Sequence, residues 1–581
     1  MRWRFLLLIL LIALPLTEAA TGRMKLLAVT ETPYGMRGSI ADLELTITLG
    51  SGRVFIDSFP LTKLDTQVST RFAKEVACNY LKLDCSRVDF FYVIRAKSPI
   101  VGGPSAGAAI TLLTIALLNN TKLREDMAIT GTINSGGFIG PVGGLPAKIR
   151  AAKEAGFKIV LIPPGQMIVN ESNTTIDLRK LASYLGIKII PVSHISQVLA
   201  YFSGNTPEPL NHIKLRVDPG YYNTMFILAK HLCNRTKELL GNVSNTSTKL
   251  VEEAINLSKS AEEGLQQGHI YSAASFCFGA NTKLRISILN TTLNSEDLPY
   301  LLNSLKAKIM NFKRELPSYK SLTDLEAYTV VIERLSEAES YVNLSFQNLN
   351  ENDTKDAIYE LAYALERFYS AKCWSKFFGV SKQMHNFSTN ELEQPCISEL
   401  WEARERLDYL RVYLPSEFLK GMEKDYLVAE HYRKEGSYEL CLFKASKLKA
   451  QANSVLGTVG ATKDILPKLV EERLKFVELT INEQIEKGHF PLLGYSYYDY
   501  ASVLKDKDPT SAFIYTEYAL KLSNLDMYFP QKKLRKAIVD NPLLNWFLIG
   551  ISLGVLLGVT LTILSIKTHS GARGTRSGKK R

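Results

Sequence analysis

Two short stretches decide the fold of this chain: Gly102-Gly103-Pro104-Ser105-Ala106-Gly107 and Gly143-Gly144-Leu145-Pro146-Ala147-Lys148. In each, the glycines turn the chain and a helix is expected to begin, at Ser105 and at Pro146. A serine at a helix start ordinarily caps the helix through its side-chain oxygen, and a lysine in the first turn is ordinarily a solvated surface residue. Taken separately, the two stretches predict helix starts and no chemistry.

Taken together, the serine and the lysine favour a catalytic interpretation. A serine hydroxyl becomes an effective nucleophile only when a base takes its proton. Lysine is such a base near neutral pH only if burial, aided by the positive end of a helix, lowers its pKa by several units. Unpaired N–H groups at a helix start can also stabilise an oxyanion. We therefore predict a dyad in which Ser105 is the nucleophile and Lys148 the general base.

The sequence around these residues resembles the proteolytic domain of Lon proteases over residues 24–204. The lysine follows the serine by 43 residues, which is the spacing expected in that family. The other matching segments are GPSAG at 103–107, MAITG at 127–131, GPVGGL at 140–145 and AGFKIVLIP at 155–163.

This resemblance implies an α/β Lon-type proteolytic domain with serine endopeptidase activity. It gives Ser105 and Lys148 the catalytic roles and implies that Thr130 forms a hydrogen bond near the lysine. Gly103 and Ala106 would support the site. Lon-type domains also tend to form rings, so the resemblance implies a homo-oligomer.

Two positions depart from the family pattern. Lon proteases usually carry an acidic residue where this chain has Gly102, and a glutamate where it has Thr132. The loss of both carboxylates would either leave the dyad always active or change substrate access. The chain also lacks a GxxxxGK[ST] phosphate-binding loop, so no nucleotide or other cofactor is expected. In this respect it resembles the exported, ATPase-free Lon-like proteins of archaea.

Both ends of the chain indicate export and membrane anchoring. Residues 1–20 have the layout of a signal peptide, with basic residues before an apolar run and alanines after it. An uncleaved signal anchor is the alternative. Residues 542–566 contain no charge and predict a transmembrane helix, and residues 567–581 form a basic tail expected on the cytoplasmic side. We therefore expect a single-pass protein of the cell membrane with its N-terminal body outside the cytoplasm.

The net charge of +12 suggests nucleic-acid binding at first sight. The basic residues that flank the predicted span explain much of this charge as attraction to anionic lipid. Within the span, Gly550, Gly554 and Gly558 lie on one helix face and predict self-association. No nucleic-acid partner is expected.

N-glycosylation sequons and cysteines agree with an exported protein. None of the seven cysteines belongs to a CxxC or Cys/His zinc motif, and the histidines show no metal spacing. Cys78–Cys85 and Cys373–Cys396 are the candidate disulfides nearest in sequence, with unpaired buried cysteines as the alternative. The sequons begin at Asn119, Asn170, Asn173, Asn234, Asn242, Asn245, Asn256, Asn290, Asn343, Asn352 and Asn386.

The first third of the chain predicts alternating strands and helices. Residues 40–49 and 54–56 suggest an antiparallel pair joined by a turn at 50–52. Further strands are expected at 90–94, 127–133, 158–162 and 188–191. Helices are expected at 66–81, from 105 onward and at 146–155.

Residues 216–530 form a region in which the helical period dominates. Four segments read as helical hairpins, at 261–285, 338–373, 429–453 and 501–523, with breaks such as Gln267-Gly268 and Glu435-Gly436. Degenerate helical repeats and a plain helical bundle are both compatible with this pattern.

The function predicted from these features is that of a membrane-anchored, ATP-independent serine endopeptidase acting on unfolded or flexible polypeptides. The alternative is a non-catalytic interaction scaffold with a Lon-like fold. A protease that cleaves only its own chain is a third interpretation.

Overall fold

A computed structural model describes residues 19–32, 35–59, 64–96, 104–133, 137–140, 142–164, 166–171, 174–208, 211–243, 248–381, 389–411, 414–458, 466–524 and single positions between 550 and 562. The predicted signal peptide, membrane span and basic tail lie wholly or largely outside these residues, as does Gly103. Residues up to Asn524 belong to one compact unit, so the α/β part and the helical region pack together. Among the described residues, no helix is both long and apolar enough to cross a membrane.

A four-stranded sheet opens the chain. Its strands are β1 (Ala20–Thr32), β2 (Gly35–Leu49), β3 (Val54–Phe59) and β4 (Val88–Arg95), in the order β1-β2-β4-β3. The pairs β1–β2 and β2–β4 are antiparallel, whereas β3 runs parallel to β4. Alternate residues of β2, such as Leu43 and Leu45, are buried, as a sheet with one covered face requires.

The expected antiparallel pairing of residues 40–49 with 54–56 is wrong, because β4 lies between the two strands. The loop that follows β2 is held by β4 rather than by its own turn. Gly50 N donates to Arg87 O at 2.9 Å, and the Asp89 carboxylate accepts from Ser51 N at 2.7 Å and Arg53 N at 2.9 Å. These bonds leave β4 as the partner of both strands.

The rest of the α/β part consists of helices packed around a second sheet, which is parallel. This parallel sheet consists of β11 (Lys188–Pro191), β8 (Ile159–Ile162) and β5 (Met127–Ile129), in that order. Two short antiparallel pairs accompany it: β6 (Thr132–Ile133) with β7 (Ile139–Gly140), and β9 (Ile168–Glu171) with β10 (Thr174–Asp177). In chain order, these helices and strands are α1 (Leu64–Leu81), α2 (Gly107–Leu118), β5 (Met127–Ile129), β6 (Thr132–Ile133), β7 (Ile139–Gly140), α3 (Leu145–Glu154), β8 (Ile159–Ile162), β9 (Ile168–Glu171), β10 (Thr174–Asp177), α4 (Leu178–Leu185), β11 (Lys188–Pro191) and α5 (Ile195–Phe202).

Most of the expected elements of this part are present within a few residues. The single strand expected at 127–133 is wrong, because it is divided into β5 and β6, which belong to different sheets. Thr130 and Gly131 separate the two strands and turn the chain toward the predicted site. Helix α2 lies at the centre of the core, and its residues from Gly107 to Ala116 are buried on all sides. A helix that is apolar all round requires this position.

The region from 219 to 523 is helical, as expected. The helices are α6 (Pro219–Gly241), α7 (Lys249–Gln267), α8 (Ile270–Thr292), α9 (Leu298–Arg314), α10 (Leu322–Asn350), α11 (Thr354–Trp374), α12 (Thr389–Leu410), α13 (Ser416–Lys434), α14 (Tyr438–Thr458), α15 (Leu466–Glu486), α16 (Leu492–Leu504) and α17 (Pro509–Ser523).

The four expected hairpins are present as α7–α8, α10–α11, α13–α14 and α16–α17, each a pair of packed helices. Gly268 and Gly436, at two of the predicted breaks, have φ of +84° and +76°, a left-handed backbone that favours glycine. The helix before each hairpin also packs on the hairpin's second helix. The region is therefore built from repeated three-helix groups rather than from a plain bundle.

The disulfides follow this repeat. Cys233 in α6 pairs with Cys277 in α8, and Cys396 in α12 pairs with Cys441 in α14, at separations of 44 and 45 residues. Cys78–Cys85 is confirmed, but Cys373–Cys396 is wrong, because Cys396 lies against α14 and Cys373 is buried and unpaired. In both groups, α6–α8 and α12–α14, the disulfide therefore joins the first helix to the third.

Candidate active site

Ser105 lies in a single 3-10 turn, Pro104–Ala106, that leads into α2. The N-cap residue of α2 is Ala106, so Ser105 does not cap this helix. Its carbonyl oxygen accepts from Gly131 N at 3.0 Å, which fixes the turn against the segment after β5. The Ser105 hydroxyl makes no hydrogen bond to any residue that the structure describes, and the side chain is partly exposed. It is therefore available to a substrate.

The turn and α2 can approach the neighbouring chain closely because residue 107 is glycine. A Cβ atom at this position would lie 2.9 Å from Ile133 Cγ2 and 2.9 Å from Ser69 Oγ. Both distances are shorter than ordinary van der Waals contact. Gly107 thus allows α2 to begin directly against α1 and β6.

Lys148 lies in the first turn of α3. The N-cap, Gly144, has φ of +66°, a left-handed conformation, and its carbonyl accepts from Lys148 N at 3.0 Å. The helix presents Lys148 inward, and the side chain is 1% exposed. The interpretation of Lys148 as a solvated surface lysine is therefore wrong.

Burial lowers the pKa of Lys148 to about 7. No carboxylate of the described residues forms an ion pair with its Nζ atom. A buried ammonium without a counter-charge is expensive, so the amine releases its proton near neutral pH. A neutral amine has a lone pair that can accept a proton.

Thr130 connects the two predicted residues. Its Oγ1 atom accepts a hydrogen bond from Lys148 Nζ at 3.1 Å and lies 3.4 Å from the Ser105 carbonyl oxygen, to which it donates. Its backbone N donates to Leu161 O at 3.1 Å, which fixes the residue to β8. The structure thus brings Ser105, Thr130 and Lys148 together. The described contacts contain no direct hydrogen bond between Ser105 Oγ and Lys148 Nζ.

Two further hydroxyl residues of this area were not singled out as site residues. Ser69 of α1 is buried and lies beside Gly107, and Thr132 Oγ1 is buried and has no hydrogen-bond partner among the described residues. The sequence carries a signal for Ser69: Thr66, Ser69 and Thr70 are polar residues at helical spacing on the buried face of α1.

The helical region contacts two segments that support the site. One is α1, which packs on the 3-10 turn of Ser105 and also on α12. The other is Phe138, directly before β7, whose ring lies 4.8 Å from that of Phe476 in α15. The guanidinium of Arg473, also in α15, lies 4.8 Å from the Phe138 ring.

A metal centre is not indicated. The described residues contain no group of three or more His, Cys, Asp or Glu side chains placed to hold a metal ion.

Comparison with known proteins identifies the segment that contains these residues. Residues 96–202 match the family model of the Lon protease (S16) C-terminal proteolytic domain. Lon protease of Paraburkholderia phytofirmans is 34% identical over 137 residues, which are 23% of this chain and 17% of that protein. For Lon protease of Brucella suis the identity is 36% over 110 residues, 19% of this chain and 13% of the relative.

The match is limited to a small part of each protein. Lon protease of Trichlorobacter lovleyi is 38% identical over 109 residues, 18% of this chain and 12% of its own length. The chain thus spans less than a fifth of these curated relatives. Within that span, it carries a Lon-type serine protease domain.

Proposed function

We propose that this protein is a membrane-anchored, ATP-independent serine endopeptidase, with Ser105 as nucleophile and Lys148 as general base. The buried Lys148 supports this proposal most, because its amine forms a hydrogen bond with the Thr130 hydroxyl rather than an ion pair with a carboxylate. Burial of a lysine that has no carboxylate partner lowers the stability of a protein. Proteins keep such a residue where its neutral amine serves in catalysis.

In this mechanism, Ser105 Oγ attacks the carbonyl carbon of the scissile bond while its proton passes to Lys148 Nζ. The C–N bond then breaks, the leaving amine takes that proton, and an acyl-enzyme remains. A water molecule attacks the ester carbon and gives its proton to Lys148. The proton finally returns to Ser105 Oγ as the carboxylate product leaves. Thr130 orients the amine during both transfers.

A casein assay with the purified full chain tests the proposal. We expect turnover by the native protein and none by Ser105→Ala or Lys148→Arg, because arginine cannot become a neutral base at accessible pH. Each variant should keep the native far-UV circular dichroism spectrum. Labelling by a serine-directed phosphonate should occur at Ser105 alone. Equal turnover by Lys148→Arg would contradict the role of the lysine, and equal turnover by Ser105→Ala that of the serine.

ATP-independence rests on the absence of a phosphate-binding loop motif from the sequence. Addition of ATP with magnesium should leave the casein turnover unchanged, and a several-fold stimulation would reject this part of the proposal. Anchoring rests on the uncharged residues 542–566. The full chain should stay in the membrane pellet after carbonate extraction, whereas a chain that ends at residue 530 should be released.

The non-catalytic scaffold remains the second candidate. It would bind polypeptides through the helical region and show neither turnover nor phosphonate labelling.

A further inference from the structure

The helical region contains two adjoining cavities, which we call the trough. The larger has a volume of about 310 Å³ and the smaller about 180 Å³. Both are lined by Glu333, Glu337 and Lys447, so they are neighbours that share these three residues. Glu333 and Glu337 lie on α10, which therefore runs along both cavities.

Aromatic rings form the walls of the larger cavity. The seven rings are those of Tyr271, Phe278, Trp374, Tyr497, Tyr500, Tyr515 and Tyr518. Tyr500 and Tyr515 meet edge to face at 4.8 Å, Tyr497 and Tyr515 are stacked at 5.7 Å, and several of the rings are only partly buried. Burial raises the pKa of Tyr500 to about 12, so its hydroxyl keeps its proton and can donate a hydrogen bond.

Both signs of charge occur among the residues that line both cavities. Lys447 Nζ pairs with Glu333 at 2.6 Å, and Arg367 Nε lies 2.8 Å from Glu337. Arg334, which also lines the larger cavity, lies 4.9 Å from the centre of the Trp374 ring. A ligand that occupies both cavities meets donors, acceptors and charges of either sign.

The smaller cavity is more apolar. Val428, Leu440 and Phe443 line it together with Tyr432. The trough therefore has a mainly apolar cavity beside an aromatic one, and the three charged residues that line both form what we call its polar waist.

We propose that the trough binds an extended segment of a polypeptide, with an aromatic side chain in the larger cavity and an aliphatic one in the smaller. Main-chain amides would exchange hydrogen bonds with the tyrosine hydroxyls and the polar waist. A compact ligand would use one cavity, whereas two neighbouring cavities suit a chain that advances about 3.3 Å per residue. The trough then retains unfolded substrate for the protease domain, a role that rests on the proposed function.

Binding is measured apart from catalysis in the full-length Ser105→Ala background. The probe is a fluorescein-labelled, unstructured peptide with a central Trp and a nearby Leu, and fluorescence anisotropy gives Kd. We expect a matched peptide with Ser in place of Trp to bind about fivefold more weakly, the effect of one aromatic contact. Tyr500→Ala should weaken binding of the Trp peptide by a similar factor. Ser275→Trp should abolish it, because the new ring fills the larger cavity without removing any wall.

Tyr300→Ala is the matched control, since Tyr300 lies in the same region, is 75% exposed and lines neither cavity. Its Kd should equal that of the parent, and thermal melting should show each variant folded. Unchanged binding by Ser275→Trp would overturn the proposal. Binding of a labelled oligosaccharide that Ser275→Trp abolishes, with no binding of the peptide, would also overturn it, since the trough would then be a glycan site.

A catalytic measurement separates this proposal from the proposed function. In the otherwise native chain, Ser275→Trp should raise KM for reduced casein and leave kcat/KM for a short reporter peptide unchanged. Equal turnover by the native and Ser105→Ala proteins would reject the proposed function. The anisotropy measurement would still show whether the trough binds the peptide.

Discussion

Lys148 Nζ donates a hydrogen bond to Thr130 Oγ1 at 3.1 Å, and both side chains are only 1% exposed. A hydroxyl can hold the amine in one orientation without the electrostatic attraction by which a carboxylate would keep it protonated. The same threonine is hydrogen-bonded to the carbonyl of Ser105. This single residue therefore sets the orientation of the base relative to the turn that carries the nucleophile.

Thr130→Val should lower kcat by about tenfold, which corresponds to about 1.4 kcal/mol of lost orientation, with little change in KM. Valine keeps the shape of threonine but cannot accept from the amine. Thr130→Ser restores the hydroxyl and should recover most of kcat. If valine and serine variants lost activity equally, the loss would come from packing rather than from this hydrogen bond.

The pH dependence of kcat/KM should report the lysine. Only the neutral amine accepts the proton of Ser105, so activity should rise with pH through the pKa of Lys148, which burial lowers to about 7. Measurement with a short reporter peptide between about pH 5 and about pH 9 checks this. A profile that stays flat across this range would show that the amine is not the base.

Lys148 should also make the protein less stable than its fold allows. Its pKa is about 7 in the folded state and about 10.4 when unfolded, so the unfolded state binds more protons between these values. Stability therefore rises with pH across this window, and the penalty is fully present below about pH 7. Lys148→Met should raise Tm at about pH 6 by a few degrees and abolish activity. The difference in Tm should shrink toward about pH 10, and a constant difference would assign it to packing.

How much of this site could be predicted depends on the distance over which its residues interact. Two features are local and can be seen in the sequence: the glycines before Ser105 and Lys148, and the position of the lysine near a helix start. The spacing of the two motifs then indicates that the serine and the lysine act as a pair. The burial of Lys148 comes from contacts that no single stretch contains, and sequence alone supports only the expectation that a base needs it.

Two wrong predictions, the strand pairing at 40–56 and the partner of Cys396, also concern contacts between residues that are distant in sequence. A turn at 50–52 favours a hairpin locally, but β4, about forty residues further along the chain, pairs with both strands, and its Asp89 holds the turn. Proximity in sequence favours Cys373 as the partner of Cys396, whereas the actual partner, Cys441, is set by how α12 packs on α14. The hairpin breaks at Gly268 and Gly436 were predictable because they depend on backbone conformation within a few residues.

The disulfide between Cys233 and Cys277 should stabilise the helical region mainly by restricting the unfolded chain. Its separation is 44 residues, against 7 for Cys78–Cys85. Loop-closure entropy predicts a contribution of about 4 kcal/mol for the longer loop, roughly 1.5 kcal/mol more than for the shorter one. Replacing both cysteines of each pair by alanine and measuring urea unfolding tests this order. A larger loss for the Cys78–Cys85 pair would contradict the entropic account.

The interface between α1 and the helical region links the site to residues far away in sequence. Glu75 of α1 accepts from Lys449 Nζ of α14 at 2.8 Å, and Lys449 also lies 3.4 Å from Glu399 of α12. Burial would raise the pKa of Glu75, but Lys449 and Arg406 lower it below its usual value, so the carboxylate is ionised at neutral pH. The Arg406 guanidinium lies 3.5 Å from the centre of the Phe72 ring, also on α1.

Glu75→Gln should therefore destabilise the protein by about 1.5 kcal/mol, since Lys449 keeps Glu399 and Glu402 as partners, and should lower kcat as well. The stability falls because the buried Lys449 ammonium loses one of its carboxylate partners. The value of kcat falls because α1 packs on the 3-10 turn that carries Ser105. Since the carboxylate's pKa is lowered, the native advantage exists above the unfolded pKa and should disappear as pH falls through the folded value. Urea unfolding and reporter-peptide kinetics measure the two effects.

The matched control is Glu483→Gln, which breaks the ion pair with Lys82 at the end of the same α1 segment. That pair also joins α1 to the helical region, but its side chains are 63% and 47% exposed. An exposed pair contributes about 0–1 kcal/mol, so this variant should keep both stability and kcat. If Glu75→Gln lost stability but retained full kcat, the helical region would support the fold of the protease domain without positioning Ser105.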